Sequence, residues 1–427
     1  MVDIYLWLFI AVCIGLLGWG LARPERVYQY PFFMGGIFVS FILPQAIALI
    51  NNPGPVTQEA LERVLLMACL CGAMCWIGYE LPPNSSLLRK LDISLDHRKL
   101  FFGGIVFVLI GYITAFLIFQ LPEAVRNNSQ WTGIITIYAF FGGLVYPGFT
   151  IILLSTLQRP TPAKILLTAI SAALPIHAIV LFGRREPTAT FILTIGLCLY
   201  FFYRYVPPRW LAIAMITVAL LVIPLTGDYR SIAKTNNWDR LLDIQPIENL
   251  QKFVEKGDVL EFRNAALLID AASITGRYGY GTDYWNSFIF RFVPAQILGK
   301  NFKNALQFKI SIVNYNYQIL YNYDIPSGST FTGIADAFVQ FNYFGSLFFL
   351  VLGHLFKSLW ISAIHRYSIT SQLFYVSFVT PAMISVTHGT TRFPQDLIFY
   401  YIFLGALIIY SRQKTSSIIQ GEFQVYD

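Results

Sequence analysis

The chain has 427 residues, 56% hydrophobic and only 12% charged, with a formal net charge of +7. Soluble domains carry about 25% charged residues, so half that share, spread between long apolar runs, excludes a soluble enzyme and a disordered chain. What remains is an all-α polytopic integral membrane protein, because lipid offers no partner to open backbone groups, and cations lying between apolar runs are no nucleic-acid signal.

Apolar runs predict about eleven transmembrane helices, at about 4–22, 31–50, 61–79, 101–119, 133–157, 165–183, 188–203, 210–227, 331–356, 371–390 and 395–411. Met1-Val2-Asp3 puts no cation before the first run and no small-x-small cleavage site follows it, so it reads as a retained helix. The turn Gly183-Arg184-Arg185-Glu186-Pro187 is short, and a re-entrant or broken helix is the alternative there. The chain thus divides into 1–227 with about eight spans, a large loop at 228–330, and 331–427 with about three spans and a short tail.

The loop is too long for a simple connector. Asp258 to about Ser273 has a helical pattern, with Val259, Phe262, Ala266, Ile269 and Ala272 near one face, which predicts a helix lying on the membrane surface. Tyr278, Tyr280, Tyr284 and Trp285 follow, then Tyr315, Tyr317, Tyr321 and Tyr323. Cys13, Cys69, Cys71, Cys75 and Cys198 all fall in apolar stretches and read as small core residues, with no disulfide framework in the loop. No internal repeat supports an inverted-repeat transporter.

Charges between the runs set the orientation. With the N-terminus outside, inner connections hold Arg23, Arg26, Arg89, Lys90, Arg98, Lys99, Arg159, Lys164, Arg204, Arg209, Lys357, Arg366, Arg412 and Lys414. The short outer ones hold Arg126, Arg184, Arg185 and Arg392. Fourteen cations against four is a strong positive-inside bias, counted without 228–330 because long loops do not vote. It predicts 228–330 outside and the C-terminus in the cytoplasm.

The outer cations that break this rule are the first site candidates. Arg184 and Arg185 suit diphosphate oxygens, which guanidinium grips in a bidentate fork; a cap salt-bridged to Glu186 is the alternative. Arg392, near His388, and Arg230, after an outer helix end, can face the same cavity, or anchor at headgroups. The turn Gly276-Arg277-Tyr278-Gly279-Tyr280-Gly281-Thr282-Asp283-Tyr284-Trp285 offers close backbone approach and aromatic faces for sugar rings, or an aromatic belt at the interface. Asp336 is an acid in an apolar run, a functional candidate by default. His177, His354 and His365 are scattered, and no pair has metal-ligand spacing. No Asp-x-Asp occurs, which argues against a metal-dependent nucleotide-sugar transferase, and no phosphate-binding Gly-Lys loop argues for an ATP-driven pump.

Together these features resemble the bacterial oligosaccharide repeat-unit polymerases of the O-antigen polymerase type. The match lies in the layout, in Gly183-Arg184-Arg185, in Phe290-Arg291-Phe292-Val293-Pro294 with Ala295 where the family often has Arg, and in Thr332-Gly333-Ile334-Ala335-Asp336 followed by Phe341-Asn342-Tyr343-Phe344-Gly345. Asp336 stands where Glu is common. The resemblance implies a membrane glycosyltransferase fold of the GT-C type in the bacterial inner membrane. It implies transfer of a growing glycan from undecaprenyl diphosphate to a sugar hydroxyl of another lipid-linked repeat unit, without metal or cofactor. Arg184, Arg185, Arg230 and Arg392 would bind the diphosphate, and Asp336, Asp283 or His388 would act as base. Arg277, Tyr280, Tyr284 and Trp285 would hold glycan. Partners on this reading are lipid-linked oligosaccharides, membrane lipids and a chain-length regulator. A ligase joining glycan to another acceptor, and a flippase for lipid-linked sugars, are the alternatives.

Topology is directly testable. Asn236→Cys is expected to react with an impermeant thiol reagent from outside the cell and Lys414→Cys only after permeabilisation; cytoplasmic labelling of position 236 would reverse the orientation.

Overall fold

The apolar runs fold as helices, and no strand forms among the residues that the computed structural model describes: 1–126, 133–235, 238–243, 245–256, 260–308, 315–326 and 329–413. Helices α1 (Val2–Ala22), α2 (Tyr30–Asn51) and α3 (Gln58–Glu80) lead, through the short α4 (Ser85–Leu91), to α5 (His97–Phe119). Then come α6 (Ile134–Gln158), α7 (Pro162–Phe182), α8 (Arg185–Tyr203) and α9 (Arg209–Thr235). The connecting segment holds α10 (Pro246–Lys256), α11 (Leu260–Thr275) and α12 (Thr282–Phe292). The chain closes with α13 (Thr332–Phe341), α14 (Leu347–His365), α15 (Ile369–Thr387) and α16 (Arg392–Ser411). Ten helices among the described residues are long and apolar enough to cross a membrane, α13 and α14 together counting as one. The eleventh predicted run is α9, apolar over Arg209–Val222.

Several helix starts are fixed by side-chain caps. Thr57 accepts from the Ala60 amide, Asp96 from Arg98 and Lys99, Thr161 from Lys164 and Ser368 from Ser371. Burial then sorts the helices. In α15, 89% of the apolar stretch is buried, against 22% in α1 and 17% in α7, so α15 is the axis and the others turn apolar faces outward. Close backbone approach replaces the hydrophobic drive that lipid cannot supply. A Cβ on Gly78 would lie 2.1 Å from the Leu350 carbonyl oxygen, which locks α3 against α14.

The two ends of the bundle are distinct. At the start of α3, the Met1 amine is 3.7 Å from Glu62 and Arg63 is 2.6 Å from Asp270 of α11. Beyond its other end, Arg366 pairs with Asp92 at 3.3 Å and the Gln413 amide donates to Ser94. Residue 1 and α11 therefore share one end, and residue 413 lies at the other. Asn236 and Lys414 are outside the described residues. The five cysteines are buried and unpaired, which gives a low labelling background.

Three elements refine or overturn the sequence reading. The turn at 183 joins two helices of spanning length, α7 ending at left-handed Gly183 (φ +53°) and α8 running 19 residues. The helix predicted to lie on the membrane surface is instead core: Phe262, Ala265 to Ile269, Ala271 and Ala272 are all buried in α11; Asp258 and Val259 lie outside the described residues. Small alanines let α11 pack all round. Its polar groups find partners distant in sequence, which periodicity cannot reveal: Asn264 donates to Ser329 Oγ (2.9 Å), and Asp270 takes Arg63 and Tyr321 (2.9 Å). The predicted run 331–356 is broken. Asn342 (φ +53°, ψ −145°) turns the chain back so that a Cβ on Gly345 would lie 1.9 Å from the Ala337 carbonyl oxygen. That backbone region costs a non-glycine residue about 1–3 kcal/mol and persists only where surroundings fix it. They do: the amides of Gly279 and Tyr280 donate to Val339 and Gln340 carbonyls at 2.8 and 2.9 Å, capping α13.

A Cβ on Gly333 would stand 1.7 Å from the Ser385 carbonyl oxygen of α15, a clash no rotamer relieves. Gly333→Ala is expected to lower stability by about 3 kcal/mol or more, at the upper end of overpacking costs, read as the unfolding midpoint in detergent. Gly36→Ala, with open space around it, is expected to leave the midpoint within a degree or two.

Candidate functional site

The candidate site is built where the ends of α7, α8, α9, α12, α15 and α16 meet. Gly183 carries the turn between α7 and α8, and a Cβ there would lie 2.5 Å from the Tyr229 ring of α9. Glycine thus serves both the positive φ and the close seat. Tyr229 Oη donates to the Val180 carbonyl (2.6 Å) and Arg230 Nε to the Gly183 carbonyl (3.3 Å), strapping α9 to this turn. Arg184 and Arg185 follow directly.

Glu186, in the first turn of α8, meets Arg392 Nη2 at 3.6 Å, with 52% and 42% of the two side chains exposed. A pair so open is worth about 0–1 kcal/mol. Glu186 thus reaches across the rim to Arg392, with Arg184 also among its charge neighbours. Arg185 also has Glu261 and Arg230 as charge neighbours, and Glu186 has Arg392, Asp396, Arg291 and Arg184. The fold therefore brings Arg184, Arg185, Arg230 and Arg392 to one rim, with Glu186 and Glu261 as nearby carboxylates. The rim is open. One cavity lies at the opposite end among His97, Phe101, Ser155 and Leu373, and another along Tyr315–Ile325; the four arginines line neither.

His388 ends α15 beside this rim, its Nδ1 2.7 Å from Thr387 Oγ1. It touches solvent, yet desolvation by the surrounding protein, then Arg392 and Arg185, push its pKa down to about 4. It is a neutral imidazole at physiological pH.

Asp336, on α13, is held by the next turn. Its Oδ2 accepts the Thr390 hydroxyl (2.6 Å) and the Thr391 amide (3.1 Å), with Gly389 (φ +141°) folded over it. Thr390 Oγ1 also lies 2.7 Å from Tyr284 Oη, which ties α12 to the same turn. One helical turn along from Asp336, Gln340 Nε2 donates to Asp283 Oδ2 at 2.7 Å and its Oε1 accepts the Gly281 amide. Burial raises the Asp283 pKa above the usual carboxylate range, and the Gln340 bond offsets part of that.

The predicted glycan-binding quartet does not form one surface. Tyr284 faces the bundle and stacks on Phe348 at 6.2 Å, while Trp285 Nε1 donates to the Leu306 carbonyl. Tyr280 is 74% exposed, and Arg277 offers its carbonyl to Tyr315 Oη (2.6 Å). The Gly/Tyr turn acts first as the cap of α13.

Sequence reading missed Asp396 and Thr390, and used Arg291 only as part of a motif. Arg291 of α12 pairs with the buried Asp396 of α16 at 2.5 Å, and Gln395 Nε2 donates to the Ser287 carbonyl. The signal for Asp396 was present: like Asp336, it is an acid inside an apolar run. Among the described residues, no group of three His, Cys, Asp or Glu is placed to hold a metal ion.

Because the folded state holds His388 below its free value of about 6.5, the neutral imidazole contributes stability that is present above that pH and lost as pH falls towards 4. His388→Gln is expected to remove that acid-side dependence while leaving the pH 7 midpoint little changed; identical slopes between pH 6.5 and 4 would refute it. Compared with family models, with curated proteins and with solved structures, the chain finds no match.

Proposed function

We propose that this chain is a membrane glycosyltransferase that polymerises oligosaccharide repeat units carried on a polyprenyl diphosphate, acting at the end of the bundle that carries α11 and α12. We take that end to be the outer face of a bacterial inner membrane. One feature carries the reading: the 387–392 turn holds both Arg392, at the cation rim, and the Thr390 and Thr391 groups that orient Asp336. A site for anion stabilisation and a site for proton removal thus share six residues.

In the reaction, the acceptor sugar hydroxyl attacks the anomeric carbon of the donor glycan. The new C–O bond forms as the bond to the diphosphate breaks, and the electron pair leaves with the diphosphate. Its growing charge is met by the guanidinium groups of Arg184, Arg185, Arg230 and Arg392. The diphosphate displaces the weakly held Glu186 from Arg392. The hydroxyl proton passes to a carboxylate. Asp336 suits this, since Thr390 and Thr391 hold Oδ2 and so orient the carboxylate. Asp283 is the second candidate, its pKa already raised towards that of a usable base. His388 is neutral and could accept a proton, but the neighbouring arginines oppose its charging.

Removing one preorganised charge donor costs about 3–4 kcal/mol of transition-state stabilisation. Arg184→Ala and Arg392→Ala are each expected to abolish long polymer while single repeat units accumulate. Arg184→Lys is expected to restore part of it, since Lys keeps the charge and loses the fork. Asp336→Asn is expected to abolish polymer if the carboxylate takes the proton and to spare some if it only orients the turn. Polymer length on gels from a complemented deletion strain, with protein level measured in parallel, gives the readout. Full-length polymer from both alanine variants at normal protein level would remove the diphosphate clamp.

A further inference from the structure

Residues 285–308 take no part in the reaction above, and contacts with a spanning helix set their course. α12 descends alongside α16, one of the helices long and apolar enough to cross a membrane. Tyr284 Oη lies 2.7 Å from Thr390 Oγ1, just ahead of α16. The Ser287 carbonyl then accepts Gln395 Nε2, and Arg291 reaches Asp396 and lies 5.4 Å from the Phe399 ring. Each contact is further into α16 than the one before. Phe292 closes the series against Phe140 at 5.6 Å, and Phe140 is 5.0 Å from Phe399. Phe399 stands two turns past Arg392, about 10 Å along an axis that crosses a hydrocarbon core of about 30 Å.

The chain then turns and comes back. α12 stops ahead of Pro294, as helices do before proline. Short helices Ala295–Leu298 and Lys300–Ala305 follow, and Gln296 Nε2 donates to the Gly133 carbonyl, one residue ahead of α6. Three links tie the returning arm to α12. Lys303 Nζ donates to the Phe290 carbonyl, Trp285 Nε1 donates to the Leu306 carbonyl, and Asn286 exchanges two bonds with the Phe308 backbone, at 3.0 and 2.8 Å. The charged groups along this hairpin are Asp283, held by Gln340, Arg291, paired with Asp396, Lys303, 4.6 Å from the Phe290 ring, and Lys300, which is exposed. Phe290, Ile297, Leu298 and Phe302 are between 51% and 72% exposed.

We propose that residues 285–308 form a re-entrant hairpin seated in the membrane leaflet at the α11 end, with Phe290, Ile297, Leu298 and Phe302 among lipid acyl chains. Depth is the first argument: α12 runs beside a spanning helix to the level of Phe399. Charge is the second. Arg291, the cation at the deep contacts, is neutralised by Asp396, as charge at membrane depth requires. Lys300 and Lys303 lie on the returning arm, where ammonium heads reach headgroup phosphates while their stems cover apolar surface. Trp285 suits the same interface. Backbone is the third: the Val293, Leu298 and Gly299 amides donate to the Ile289, Pro294 and Ala295 carbonyls, so the turn keeps its own hydrogen bonds. A segment whose sequence predicts an outer loop thus enters the bilayer without crossing it. It abuts the arginine rim, since Arg291 and Asp396 are charge neighbours of Glu186. The hairpin rests on its contacts with α16 and not on the proposed reaction.

The test is nitroxide accessibility in nanodiscs that hold one full-length chain each. Labels go on Phe290→Cys, Ile297→Cys and Phe302→Cys. Ile14→Cys, on the exposed face of α1, is the lipid reference, and Glu59→Cys, exposed at the start of α3, is the water reference. Collisions are measured with oxygen, which concentrates among acyl chains, and with a nickel chelate, which stays in water. The hairpin labels are expected to match the oxygen-rich pattern of Ile14→Cys, with nickel collisions severalfold below those at Glu59→Cys. Nickel collisions at 290 and 297 equal to the water reference overturn the proposal, as does protection that appears only in discs holding several chains, which would make the face a contact between copies. A second measurement uses the unaltered chain and a phospholipid with a diazirine midway along its acyl chain. Crosslinks mapped by mass spectrometry are expected within 285–308; crosslinks in the spanning helices with none in 285–308 would equally overturn the seat in the leaflet.

Discussion

The carboxylate of Asp336 is the interaction on which this end of the molecule depends. It bridges α13 to the turn between α15 and α16, and through Thr390 it reaches Tyr284 on α12. Four helices from two distant parts of the chain are thereby registered by one oxygen. The arrangement is possible only because Gly333 lets α13 sit directly on the α15 backbone. An acid in this position would be expensive in hydrocarbon; surrounded by donors it becomes a fixed point.

A second constraint is charge. Cations gathered at one rim repel one another, and backbone bonds and carboxylate neighbours help to hold them there. Arg230 is tied to the Gly183 carbonyl, and Arg392 makes an open pair with Glu186. Two tight pairs lie away from the rim: Arg63 with Asp270, and Arg291 with Asp396. These two pairs join helices distant in sequence, while the pair at the rim, Arg392 with Glu186, is open and long.

Hydropathy made the spanning helices legible because burial in lipid demands long, uniformly apolar runs: ten spans of that length form among the described residues, one of them broken at Asn342, and the run at 210–227 lies in α9, apolar over a shorter stretch. The charge count pointed to Arg184, Arg185 and Arg392 for a physical reason: most cations between the runs lie at the other end of the spans, so the few at this end stand out. What was not legible depended on contacts across long stretches of chain. Alternation in α11 suggested one apolar face, but Arg63, Tyr321 and Ser329 satisfy its polar groups and let the whole helix sink. The break at Asn342 is invisible to hydropathy, since apolar residues flank it on both sides and its cap comes from Gly279 and Tyr280. The Gly/Tyr turn was noticed for its composition; its backbone role could not be read from side chains.

The break has a consequence for how the protein is made. As one continuous helix, Thr332–His365 would be about 51 Å long at 1.5 Å per residue, against a hydrocarbon core of about 30 Å. The donors that end α13 early belong to a segment made before it, since chains emerge and fold from the N-terminal side. The 276–281 turn therefore waits, uncapped and uncapping, until α13 is synthesised. Asp336 then waits for Thr390 and Thr391, and Glu186 for Arg392. The Asp336 cluster and the Arg392 side of the rim are therefore completed only when the final helix docks, so a ribosome-stalled or prematurely terminated chain leaves both unassembled.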